Sequence, residues 1–162
     1  MQGDGAAFSC AVHGAIEPLW RPDEADYDSF ADLVSRCEDM PTYLPWPMSP
    51  GWSIADFGCV GTRARLRATV TTTVGTSDLD GAVEVTVVAE DPGVGLGARC
   101  GGTSYDDPGP QISNGPASIK VRAGGRAVPM WLVDDERDDG EDPLTRAVFA
   151  GEAEGRWLWL VM

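Results

Sequence analysis

Apolar and polar positions alternate most cleanly between Arg63 and Val74. Ala64, Leu66, Ala68, Val70 and Val74 fall on one side of an extended chain; Arg63, Arg65, Arg67, Thr69, Thr71 and Thr73 fall on the other. A period of two marks a β-strand. Val83, Val85 and Val87 repeat it with Glu84 and Thr86 opposite, so Gly75 to Gly81 is expected to be a hairpin loop. Residues 118–123 and 127–133 flank Gly124-Gly125, a strong turn signal, and residues 146–151 and 156–162 flank a turn at 152–155. The last segment is apolar on both sides, with Trp157, Trp159 and Val161 on one and Leu158, Leu160 and Met162 on the other. That reads as a central strand covered on both faces. A chain seldom ends on such a strand, so an unpaired edge or apolar patch beside 157–162, and a chain shorter than its natural parent, are expected.

One segment has helical spacing. Over residues 23–38, Tyr27, Phe30, Val34 and Cys37 share a face, while Asp28, Asp32, Ser35 and Arg36 face away. Asp23 is the expected cap, Glu24 and Asp26 suit the positive end of the helix, and Pro41 stops it. Cys37 reads as a core residue. Residues 40–52 then carry Pro41, Pro45, Pro47 and Pro50, which exclude helix and impose an extended, polyproline-like path. Tyr43, Trp46, Met48 and Trp52 come with it. Either they pack across an edge or open end of the sheet, or they form an exposed platform for a ligand. Packing is the expectation, with Trp46 buried, because a small domain needs its large side chains inside. The fold class is α+β, a mostly antiparallel sheet with one early amphipathic helix. Residues 1–22 read as a remnant zinc-ribbon-like segment and 23–162 as a single domain.

The 162 residues suffice for one domain. Twenty-six acids against twelve bases disfavour nucleic acid as a partner, since phosphate binding needs positive surface. Much of the excess is the run Asp134-Asp135-Glu136-Arg137-Asp138-Asp139-Gly140-Glu141-Asp142. Like charges so dense read as a solvated loop; the alternatives are a patch for a basic partner or a calcium loop, and the run lacks the spaced acids and closing glutamate of the latter. No apolar run spans a membrane and no secretory leader is visible. Four cysteines without a leader suit a reducing compartment, so a cytoplasmic location is expected.

Candidate chemistry is sparse. Cys10 and His13, in Cys-Ala-Val-His, have the spacing of one zinc knuckle; a closed site needs a second pair, so they form a half-site. No cofactor is expected in this chain, and zinc only in a longer form. Gly93, Gly95 and Ala98 match the dinucleotide pattern G-x-G-x-x-G/A after a strand. That pattern binds phosphate through the helix it opens. Here residues 101–110 are unfit for the helix, and Glu90 and Asp91 repel phosphate, so a glycine bulge or close backbone crossing is expected instead. Arg99 is the nearby cation. Arg63, Arg65 and Arg67 read as a solvated stripe or an anion site. Trp46, Trp52, Gly93, Gly95, Gly97 and Arg99 are the candidate ligand surface.

Several segments together carry a resemblance. They are Cys10-Ala-Val-His13-Gly14, Leu44-Pro45-Trp46-Pro47-Met48, Gly51-Trp52, Val88-Ala89-Glu90 through Gly93-Val94-Gly95-Leu96-Gly97-Ala98-Arg99, Asp107-Pro108-Gly109-Pro110, and Arg146 to Glu152 with Trp157-Leu158-Trp159. In this order the chain resembles an uncharacterised family of actinobacterial proteins over nearly its whole length. Members are sometimes labelled phosphotransacetylase. The resemblance implies a Cys-x-x-Cys knuckle ahead of Cys-x-x-His and further strands after Trp-Leu-Trp; this chain has neither. The functional reading is a binding or regulatory module for an unknown small molecule or protein. The alternatives are an acyl- or phosphoryl-transfer enzyme, which rests on the label, and a structural fragment without a site.

Overall fold

The computed structural model describes residues 8–10, 14–77, 79, 81–103, 106–133 and 146–162. The acidic run lies outside them. β1 (Phe8–Cys10) and β2 (Gly14–Ile16) pair only with each other; then come β3 (Leu19–Trp20), α1 (Tyr27–Arg36), β4 (Ser53–Thr62), β5 (Arg65–Ser77) and β6 (Gly81–Glu90). After α2 (Leu96–Gly101) the chain makes β7 (Ile119–Ala123), β8 (Arg126–Leu132), β9 (Val148–Ala153) and β10 (Arg156–Val161). β3 to β10 form one eight-stranded antiparallel sheet in the order β3-β4-β5-β6-β10-β9-β8-β7. The expected α+β class therefore holds, with α1 as the early helix.

The crossover explains the order. From β6 the chain passes over one face through α2, builds the β7–β8 hairpin at the far edge, and returns inward through β9. β10 then fills the gap beside β6. It is central, as its two apolar faces predict, but the unpaired edge expected beside it is absent: it pairs with β6 on one side and β9 on the other.

The pairing register separates the two faces. Val70, Val88, Trp159 and Ala150 lie in one cross-strand row, covered by α2; Leu96 and Ala98 join them in the core. Thr71, Val87, Leu160 and Phe149 lie in the next row, on the opposite face. There α1 and residues 40–52 provide the cover.

α1 is shorter than its acidic prelude suggests. Asp26, in extended conformation, accepts the Ser29 N–H at 2.8 Å and is the cap in place of Asp23. The buried stripe is Phe30, Leu33 and Cys37, one step round from the one expected; Tyr27 and Val34 are exposed. Leu33 packs in the cluster with Phe57 and Cys59 of β4, which sets the rotation of the helix. Cys37 is core, as expected. Its thiol is lowered first by a hydrogen bond from Cys59, whose own thiol is raised by that bond and by burial.

β5 and β6 run longer than their patterns indicate. Ser77 still pairs with Gly81, so Gly75 is strand rather than loop, and Arg63 sits in the β4–β5 turn rather than in β5. Its polar stripe is also not an outer face: Thr69, Thr71 and Thr73 are at most 2% exposed.

Candidate functional site

The buried threonines are explained by the proline segment that crosses them. Prolines remove backbone donors, so a proline-rich strap satisfies few of its own carbonyls. Thr69 Oγ1 donates to the Pro41 carbonyl at 2.6 Å and Thr71 Oγ1 to the Tyr43 carbonyl at 2.5 Å. Thr69 and Thr71 are thus rungs that hold residues 41–43 to the sheet, while Thr73 donates to the Val85 carbonyl of β6. At the far end of the strap Trp52 lies on Gly75. A Cβ at that glycine would sit 2.3 Å from the indole, so only glycine leaves room for the ring.

Between these anchors the strap leaves the sheet uncovered. A groove of about 290 Å³ opens there. Its strap wall includes Tyr43 and Trp52, its floor Val87 and Leu160, and its far wall Val121 and Ala123 of β7. The lining is almost wholly apolar. Tyr43 contributes a phenol raised above its usual value by burial and then by Glu154, so it is neutral at pH 7. Its size is at the lower bound for pockets that take small molecules.

Trp46 does not line this groove. It is 82% exposed, which overturns the expectation that it packs inside. The flanking prolines hold the turn of the strap away from the sheet, and the ring goes with it. Trp52 is the member of the sequence-derived ligand surface that reaches the groove.

The other members are on the opposite face. Gly93 and Gly95 adopt positive φ, +80° and +69°, and lead into α2, so the glycine run does open a helix, contrary to expectation. It lasts six residues and ends at Gly102. Its first amides are already taken. The Glu90 carboxylate, fully buried, accepts Leu96 N–H at 2.6 Å and Gly97 N–H at 3.3 Å through Oε2. The residue that would repel phosphate at this mouth in fact occupies it.

The glycines also permit the close crossing that the run suggested. A Cβ at Gly97 would sit 2.1 Å from Trp159 Cδ1. Asp107 accepts Gly93 N–H and Trp157 Nε1–H, each at 2.8 Å, pinning loop to strand. Arg99 is exposed and donates to the Val94 carbonyl at 2.9 Å. Gly93, Gly95, Gly97 and Arg99 therefore do not share a site with Trp46 and Trp52.

Sequence reasoning gave Glu90 no role beyond repulsion. Desolvation pushes its carboxyl up to about 7, the two amide bonds opposing. Oε1 and the Trp159 indole N–H are buried beside one another without a well-formed hydrogen bond, and the indole adds a weaker downward pull on the carboxyl. The available signal was an acid closing the apolar run Val87 to Ala89, which a two-sided strand does not tolerate unless a partner waits for it.

Of the arginine stripe, Arg67 pairs with Glu17 at 3.2 Å and donates to the Pro92 carbonyl, while Arg63 and Arg65 are exposed. His13 lies outside the described residues, and of Cys10 only the strand backbone is described, so the half-site has no geometry here. No helix among the described residues is long and apolar enough to cross a membrane.

The sheet, the early helix and the glycine loop all fall inside one family match. The chain belongs to the family of unknown function DUF6758, whose model matches residues 3–162. The match spans every segment on which the resemblance rests. No curated protein and no solved structure matches the chain.

Proposed function

We propose that this DUF6758 chain is a binding module that takes an apolar group of its partner into the groove between the 40–52 strap and the sheet. One observation carries this reading: the strap is tied down at Thr69, Thr71 and Gly75, yet the sheet between those ties is left as an open apolar groove of about 290 Å³. A segment serving only as cover would lay its rings on Val87 and Leu160. Here its prolines fix a path that stands away, so the cleft does not collapse when empty. The other face offers no comparable opening at the glycine loop, where backbone and indole are in contact.

The test is titration with N-phenyl-1-naphthylamine, an uncharged probe that fluoresces in apolar surroundings. Saturable binding is expected, and Leu160→Trp, which places a ring in the floor, should abolish it while far-UV circular dichroism stays native. No saturable signal from the native chain, or an unchanged signal from the variant, defeats the reading.

A further inference from the structure

β7 forms one wall of the groove and is also the edge of the sheet. Among the described residues nothing pairs with its outer side. An unprotected edge strand is a template for another strand. The direction of its free groups follows from the hairpin. Ala123 and Arg126 flank the two-residue turn Gly124-Gly125, where both residues have positive φ, +56° and +78°. Residues in that position exchange hydrogen bonds across the ladder, and antiparallel ladders alternate. Lys120 and Arg122 therefore turn their backbone N–H and C=O groups outward.

The side chains of β7 divide just as cleanly. Val121 pairs with Val128 and Ile119 with Met130, in the rows that face the strap. Lys120 and Arg122 alternate with them along the strand, Arg122 also bordering the groove. Both are exposed, as is Arg126, and none of the three has an ion pair among the described residues. Their setting is unusual for this protein. Residues 108–133 contain these three bases, and all twenty-six acids of the chain lie outside that stretch. A basic hairpin thus projects from a molecule of formal charge −14.

We infer that β7 receives an extended peptide segment of a partner protein, added as a ninth strand, with apolar residues turned into the groove and acidic residues alternating against Lys120 and Arg122. This rests on the groove reading above and gives it an occupant. Main-chain hydrogen bonds to Lys120 and Arg122 would supply affinity, and the alternation would supply specificity. The charges argue against a second copy of this chain on the same edge. Antiparallel pairing of β7 with itself sets Lys120 and Arg122 against their own counterparts, and like charges opposite one another are destabilising.

The experiment uses the full chain and a synthetic peptide of alternating leucine and glutamate, long enough to span β7. Amide spectra should show the Lys120 and Arg122 N–H signals moving on titration. Affinity should fall at least about tenfold in the K120E/R122E double variant, where repulsion replaces attraction at two contacts. A leucine–lysine peptide, or a leucine–glutamate peptide methylated on the bonding amides, should not bind. Equal binding of either control, or of the native peptide to the double variant, overturns the inference. So does concentration-dependent dimerisation that shifts the β7 amides, which would make the occupant a second copy. So does movement of those amides, without peptide, on neutralising Asp138 and Asp139, which would make it the chain's own acidic run. If the naphthylamine probe binds and no peptide does, the edge proposal fails and the groove reading stands. If the probe itself does not bind, the groove reading fails and carries the proposal with it.

Discussion

Two segments outside the strands cross this sheet, one over each face, and they end differently. The strap at 40–52 is rich in proline and aromatic rings; the loop at 93–102 is rich in glycine. The loop sinks until its backbone touches Trp159 and its helix amides meet Glu90. The strap is held at its ends and stands off between them. Chain stiffness and side-chain bulk decide the outcome. Glycine removes the Cβ that would keep backbone and indole apart, whereas proline fixes φ and forbids the chain to follow the surface. A close crossing makes core, and a stiff crossing leaves a cleft.

The sharpest way to break this contrast is through the acid buried under the loop. Glu90 is raised in the folded chain to about 7, from an ordinary 4.5. The folded state then holds a proton that the unfolded state has released. Its contribution is fully present below about 4.5 and is lost as pH rises through about 7, so stability should fall across that window by up to about 3 kcal/mol. Urea melts from pH 4.5 to 8 should show that component in the native chain and lack it in Glu90→Gln, whose amide oxygen can still accept from Leu96. An identical pH profile for the two proteins would place the loop's acid in a more polar setting than its burial implies.

A paired glycine substitution sharpens the comparison. Gly97→Ala pushes a methyl into a fully buried indole that cannot retreat, and should cost about 1–3 kcal/mol. Gly75→Ala meets the half-exposed Trp52, which can swing outward, and should cost less, about 1 kcal/mol. The Gly75 variant should also reshape the groove and change naphthylamine affinity, while the Gly97 variant should leave it alone. Reversed costs, read from denaturant midpoints, would mean that the strap rather than the loop is the rigid crossing. The smallest effect belongs to Trp46→Ala, within about 0.5 kcal/mol because the ring is in solvent. A loss of several kcal/mol on melting would show that the strap's turn packs down after all.

The hairpins were legible because each depends on neighbours in sequence. Gly124-Gly125 and the turn before Arg156 pair strands only a few residues apart, and period-two patterning does the rest. What failed to show were features set by a remote partner. The threonines of β5 read as a solvent face, since nothing in their own strand reveals that the carbonyls of Pro41 and Tyr43 will lie over them. The helical stripe was placed one step off because Leu33 is chosen by Phe57, more than twenty residues away. Glu90 looked like an obstacle to anions, whereas its own Oε2 takes the helix amides that an anion would use.

Local chemistry by itself determined the strands from β5 onward, the early helix, the proline strap, the glycine loop and the acidic charge, since propensity, periodicity and turn geometry act over a few residues. Only tertiary structure decided that β10 has β6 and β9 as its two neighbours, that Trp46 faces water while Trp52 lines a groove, and that the ligand-surface candidates divide between two faces. Those outcomes depend on which strand fills the gap beside β6 and on how closely a crossing segment can approach the sheet beneath it. Both are set by contacts between residues far apart in sequence, where no local pattern records the partner.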